Sequence, residues 1–260
     1  MKYKNLIIFF TIGFVAFSLL IITFSAIINI YEKREKIAEF VNIKIKKEEP
    51  ADYDNIDEDI YWANEILNGG YILHFRHAER DKWIDVQMYD ALESDVHENG
   101  INESRYAEND YFKNAVCLNE RGLIQAKAMG EHLKVIGLPI GNVYSSVSCR
   151  SRQTAELAFG GYDSLHRILV HEGPYNEDKE NRLENLKRFY SEIQIDKNTN
   201  AIVSAHNKVI NCKMFVNDKC PIHLALEEGG FYIISQSEKG LVFEHEFHYY
   251  NSFNKVFYER

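Results

Sequence analysis

Residues 71–81 read YILHFRHAERD. A short apolar run follows the Gly69-Gly70 turn, and Tyr71–Phe75 is predicted as a buried strand. Directly after it come Arg76 and His77, so a cation and an imidazole sit at the carboxyl end of the strand. Ligands bind there in open α/β sheets.

Outward from this stretch, short apolar runs alternate with helical patterns, which predicts an α/β domain. Leu123, Ala126, Met129 and Leu133 recur at helical spacing, with Asn119 as N-cap and Gly137-Leu138-Pro139 as the stop. Asn142–Tyr144 is predicted as a strand, and Arg150–Phe159 as a helix ending at Gly160-Gly161. Further strands are expected at Arg167–Val170 and Ala201–Ser204, and further helices over 181–195 and Val209–Val216. Phe231–Ser235 and Leu241–His248 form a closing antiparallel pair around Glu238-Lys239-Gly240.

Two more strands end in polar residues. VYSSVSCRSRQTAE (143–156) presents Ser145 and Ser146, with Arg150 on the helix behind them; IVSAHNK (202–208) presents His206. Two histidines and two arginines meeting in one cleft suit a phosphoryl group. Its transfer is catalysed largely by positioning and by stabilising charge on three equatorial oxygens. Arginine offers a planar fork of donors that stays charged. A neutral imidazole can attack phosphorus and split one displacement into two. A second, protonated histidine can donate to the same oxygens, and the scheme needs no metal or cofactor. A serine nucleophile is disfavoured because no Gly-x-Ser-x-Gly elbow is present. His74, earlier on the same strand, is assigned to a packing layer or to capping a loop, and His132, His166, His171 and His223 are read as ordinary surface or core histidines.

These segments resemble the histidine phosphatase superfamily, which includes cofactor-dependent phosphoglycerate mutases. RHAER resembles its Arg-His-Gly signature, VYSSVSCRSRQTAE its Ser-Ser-Pro-x-x-Arg-x-x-Gln-Thr-Ala segment, and SAHN its second histidine motif. CLNERGLIQAKAMGEHL (117–133) resembles the helix between them. Among subgroups, the lipopolysaccharide core heptose-phosphate phosphatases share the Arg-His-Ala-Glu-Arg form. The resemblance implies a three-layer α/β/α domain whose sheet is mostly parallel with an antiparallel edge. It makes His77 the nucleophile, with Arg76, Arg150 and His206 clamping the phosphoryl oxygens. Arg152 is the rival to Arg150, but residues two apart on a helix do not share a face, and the motif spacing selects Arg150. Val147 stands where the family has proline and Ala78 where it has glycine. Asn207 stands where the phytase-like branch has its acid, an aspartate. Glu172 is the first candidate for the proton donor, with Glu79 and Asp81 as alternatives.

The function implied is a metal-independent phosphomonoesterase working through a phosphohistidine, on a phosphorylated sugar or surface glycan. A mutase-like phosphotransferase and a non-catalytic phospho-ligand-binding membrane protein are the alternatives. A formal charge of −9 argues against a general nucleic-acid partner. From Asn5 to Ile30 runs an uncharged apolar stretch, long enough for a hydrocarbon core of about 30 Å and too long for a cleaved signal peptide. Residues 1–30 are therefore expected to be a signal anchor in a bacterial plasma membrane, 31–59 a juxtamembrane linker, and 60–260 the catalytic domain. Lys33, Arg34 and Lys36 after the span favour a cytoplasmic domain, whereas the subgroup resemblance favours the periplasm. Residues 81–116 form an acidic, aromatic insertion, expected to be a lid that selects substrate through Trp83, Tyr89, Tyr106, Tyr111 and Phe112. The four cysteines lack zinc spacing and are read as free, partly buried thiols, although Cys212 and Cys220 are near enough in sequence to pair.

Overall fold

A computed structural model of the protein describes residues 56–81, 117–170, 179–217 and 219–258. The apolar span, most of the linker, the insertion from residue 82 and Glu172 lie outside the described residues, as does His171. Among the described residues no helix is long and apolar enough to cross a membrane.

The strands are β1 (Ile72–Arg76), β2 (Ile140–Ser146), β3 (Ser164–His166), β4 (Asn200–Ala205), β5 (Phe231–Ser237) and β6 (Gly240–Phe247). They form one sheet in the order β3-β2-β4-β1-β5-β6. β1 and β2 each pair in parallel with β4, and β3 pairs in parallel with β2. β5 lies antiparallel to both β1 and β6. The expected parallel sheet with an antiparallel edge is present.

Helices α1 (Ile56–Glu65), α2 (Glu120–Ile136), α3 (Cys149–Phe159) and α5 (Tyr250–Tyr258) cover one face. There Leu73 and Phe75 of β1 meet Met129, Ala155 and Phe253. Helix α4 (Lys179–Glu192) covers the other, where Ile72, Val203 and Ile234 meet Leu186 and Tyr190. Because both faces are packed, every residue of β1 and β4 is buried, which is why β1 reads as a continuous apolar run instead of an alternating one. Helix α1 begins inside the stretch expected to be linker. Its Trp62 is buried, and Asp59 binds Nε2 of His245 on β6 at 2.7 Å.

Cap chemistry sets the ends of α2. The Asn119 side chain accepts from Gly122 N at 2.8 Å, and Gly137 ends the helix with φ of 73°. Gly122 is required for another reason: a Cβ there would stand 1.9 Å from the Glu79 carbonyl oxygen. Its absence lets α2 press against the loop that carries His77.

Three expectations are corrected. Residues 167–170 are not a strand; Arg167–Leu169 is a 3-10 turn after β3. Leu169 and Val170 are both buried, and Arg182 of α4 donates to the Ile168 and Val170 carbonyls that a strand would have used for pairing. Residues 209–216 are not a helix. Only Cys212–Met214 turns, and Val216 N donates to Leu241 O at 2.9 Å, which draws the chain along β6. The cysteines are not free: Cys117 pairs with Cys149 and Cys212 with Cys220, with Cα atoms 4.8 and 5.0 Å apart. The first pair joins the approach to α2 to the first residue of α3, across 32 residues.

Candidate active site

The parallel strands β1, β4 and β2 lie side by side, so their carboxyl ends bring three distant segments together. His77 follows β1, with its backbone N–H on the Ala205 carbonyl at 3.0 Å. His206 follows β4. Arg150 lies in the first turn of α3, immediately after β2. All three are at most 4% exposed, and the two imidazole centroids are 5.3 Å apart.

Arg150 bridges the histidines. Its Nε donates to His77 Nε2 at 3.1 Å, and its Nη2 meets His206 Nδ1 at 3.1 Å. Hydrogen-bond roles then fix both tautomers. His77 Nδ1 is 2.7 Å from the Ala78 carbonyl, which only accepts, so Nδ1 carries the proton and Nε2 the lone pair. A guanidinium only donates, so His206 Nδ1 accepts and Nε2 carries the proton. That Nε2 lies 3.0, 3.2 and 3.3 Å from the hydroxyls of Ser146, Ser148 and Ser151. Ser148 occupies the N-cap position of α3 but makes no side-chain cap bond, because its hydroxyl faces the site.

Arg76 occupies the flank towards β5. Its guanidinium donates to the Leu226 carbonyl, and to the Glu228 carboxylate at 2.8 Å, with Glu227 at 3.9 Å. Its Nε–H is buried and has no hydrogen-bond partner among the described residues. Burial lowers the Arg76 pKa from its usual value, while Glu228 and Glu227 oppose the shift. Glu228 is a site residue that sequence reasoning missed, since nothing local links positions 76 and 228.

Motif residues that carry no chemistry hold the loops. Thr154 Oγ1 accepts from Ala78 N at 3.0 Å and donates to Arg150 O at 2.8 Å. Gln153 Oε1 accepts from Leu118 N, and Gln125 joins Glu79 N to the Glu228 carbonyl. The alternative acids Glu79 and Asp81 share Asn119 Nδ2 at the start of α2, and Glu79 also pairs with Arg121. Asn207 follows His206, and its Oδ1 is buried with no hydrogen-bond partner among the described residues.

Burial, reinforced by the fields of Arg150 and Arg76, pushes the His77 pKa well below the usual histidine range. His74 is fully buried, and desolvation pushes it down to about 4. In the unfolded chain both titrate near 6.5. Between pH 6.5 and 5 the unfolded chain therefore takes up protons that the fold refuses, and stability falls as pH falls. For His74 the loss by pH 5 is about 2 kcal/mol, and His77 adds to it in the same direction. Urea unfolding at pH 7.5, 6 and 5 checks this; a midpoint unchanged across that window contradicts it.

Residues 103–173 match the histidine phosphatase superfamily, branch 1. The matched stretch carries α2, β2, α3 and Arg150; His77 and His206 lie on either side of it. No curated protein matches the chain. Among solved structures, the protein histidine phosphatase SixA complexed with tungstate is 13% identical, with 68% of this chain and 95% of that one covered and a TM-score of 0.42. A protein from Thermus thermophilus is 18% identical, with 67% and 98% covered and a TM-score of 0.38. A phosphoserine phosphatase from Entamoeba histolytica in complex with phosphoserine is 12% identical, with 68% and 95% covered and a TM-score of 0.36.

Proposed function

We propose that the protein is a histidine phosphatase, a phosphomonoesterase that works through a phosphohistidine on His77. One observation carries this reading: a neutral imidazole with its lone pair on Nε2 is held at 3.1 Å by an arginine that also contacts a second histidine. In the reaction, Nε2 attacks phosphorus, the N–P bond forms and the ester P–O bond breaks. An acid protonates the departing oxygen. Water then attacks phosphorus, the N–P bond breaks and phosphate leaves. As the phosphoryl group enters, its oxygens take over the Arg150 donors and the buried Arg76 Nε–H. His206 Nδ1, released from Arg150, can take a proton and donate in turn. Glu172 is our choice for the acid.

The substrate we propose is a phosphorylated sugar of a surface glycan, on the strength of the Arg-His-Ala-Glu-Arg resemblance. The membrane anchor over residues 1–30 and a periplasmic catalytic domain belong to the same proposal. Two disulfides in one domain support an oxidising compartment and outweigh the Lys/Arg count, since long domains translocate regardless of flanking charge.

Full-length protein in detergent micelles, given phosphosugars, a chromogenic phosphate ester and phosphoglycerates, tests the activity. Phosphate release unaffected by chelator is expected, and interconversion of phosphoglycerates without phosphate release would sink the reading. Glu172→Gln should slow esters with poor leaving groups more than good ones; equal slowing removes Glu172 as the acid. A reporter fused after Arg260 that is active only in the cytoplasm would refute the periplasmic placement.

A further inference from the structure

His74 has no part in the chemistry above, yet it is fully buried on the α4 face of the sheet, three residues before the nucleophile. Its Nε2 is 3.2 Å from the backbone carbonyl of His206, and its Nδ1 is 2.6 Å from the Tyr190 hydroxyl. The carbonyl only accepts, so Nε2 carries the proton. Nδ1 is then an acceptor, and the Tyr190 hydroxyl must donate to it. The ring also stacks on Tyr232 at 5.8 Å, with 22° between planes. Every polar atom of the imidazole is thus used, and Tyr190, itself fully buried, ties it to α4.

The bond matters because of where the His206 carbonyl lies. β4 ends at Ala205, and the chain turns at Asn207-Lys208, where Lys208 has φ of 60°. The His206 peptide has left the sheet ladder, so strand pairing no longer orients it. His206 must nevertheless hold its ring between Arg150 and three serine hydroxyls.

We propose that His74 is a positioning residue for His206: its imidazole grips the His206 carbonyl from beneath the sheet, and Tyr190 holds that imidazole in place. The proposal rests on the phosphatase reading and deepens it. His206 contacts the phosphoryl oxygens in the bound state and more strongly as charge develops, so loosening it weakens phosphate binding and lowers kcat by a larger factor than it raises KM.

The test uses full-length His74→Leu, His74→Gln and Tyr190→Phe proteins. A glutamine amide can replace the Nε2–H donor, whereas leucine cannot. His74→Leu is expected to lower kcat roughly 10- to 100-fold, the scale of a small misplacement in an active site, and His74→Gln should restore most of it. Tyr190→Phe should fall between them, because the carbonyl still selects the tautomer. Equal losses in the leucine and glutamine variants that follow only their thermal midpoints would overturn the proposal. Binding of inorganic phosphate, measured by calorimetry, judges His74 apart from turnover. If wild-type protein hydrolyses no ester, the phosphatase reading fails. Phosphate binding weakened by His74→Leu and kept by His74→Gln would still support the positioning role, and equal binding would refute it.

Discussion

Replacing His77 with alanine is expected to bring phosphate release down to background and to abolish an acid-labile phosphoenzyme. The loss should be on the order of a millionfold in kcat, the scale seen when the nucleophile of a covalent mechanism is removed. No other described group is placed to substitute. His206 presents Nδ1 to Arg150, and its Nε2 carries its proton among serine hydroxyls. His74 is sealed on the far face of β1 by Tyr190 and Tyr232. His77→Asn is the sharper variant, because its side-chain amide can still donate to the Ala78 carbonyl as His77 Nδ1 does at 2.7 Å. The asparagine protein should fold, bind phosphate and remain as inactive as the alanine one. Rapid quench with labelled substrate decides the matter: a phosphoenzyme trapped on either variant would place the covalent step on another residue.

That His77 was visible from sequence follows from where it stands. A strand buried on both faces leaves a continuous apolar run, and YILHF breaks abruptly into Arg76-His77 at the end where α/β sheets bind ligands. Arg150 and His206 were legible for the same reason, each just beyond a strand carboxyl end. The ends of α2 were legible because Asn119 and Gly137 act through local backbone geometry. Contacts between distant positions were not. Glu228 reaches Arg76 across 152 residues and His74 reaches the His206 carbonyl across 132, and neither leaves a periodic signal. Ser148 occupies the N-cap position of α3, but its hydroxyl is committed to His206, a contact with a residue 58 positions away. The Cys117–Cys149 bond was hidden likewise, because pairing depends on how β1, α2 and α3 pack. Local patterning misled at 167–170 and 209–216. There apolar residues are buried by turns whose carbonyls and amides are satisfied by Arg182 and by β6.

Arg150 should be nearly as sensitive as His77, and for a different reason. Its Nε and Nη2 address two imidazoles at once, each at 3.1 Å, from a fully buried position in the first turn of α3. A lysine keeps the charge but offers one nitrogen where the guanidinium offers a fork, so it can serve one histidine or the other. Arg150→Lys is therefore expected to lose about 10³-fold in kcat/KM, the cost of removing a preorganised donor at developing charge. Arg150→Ala should lose at least as much and should differ in its pH profile. After desolvation, the field of Arg150 is the largest influence holding the His77 pKa down. Alanine removes that field, the His77 pKa rises, and more of the ring is protonated and unable to attack at a given acidic pH. The acid limb of kcat/KM should then move to higher pH in Arg150→Ala and stay near its original position in Arg150→Lys. Wild-type turnover in the lysine variant would show that charge alone suffices. Coincident acid limbs in all three proteins would show that Arg150 does not tune the nucleophile, and its part would then reduce to gripping the phosphoryl oxygens.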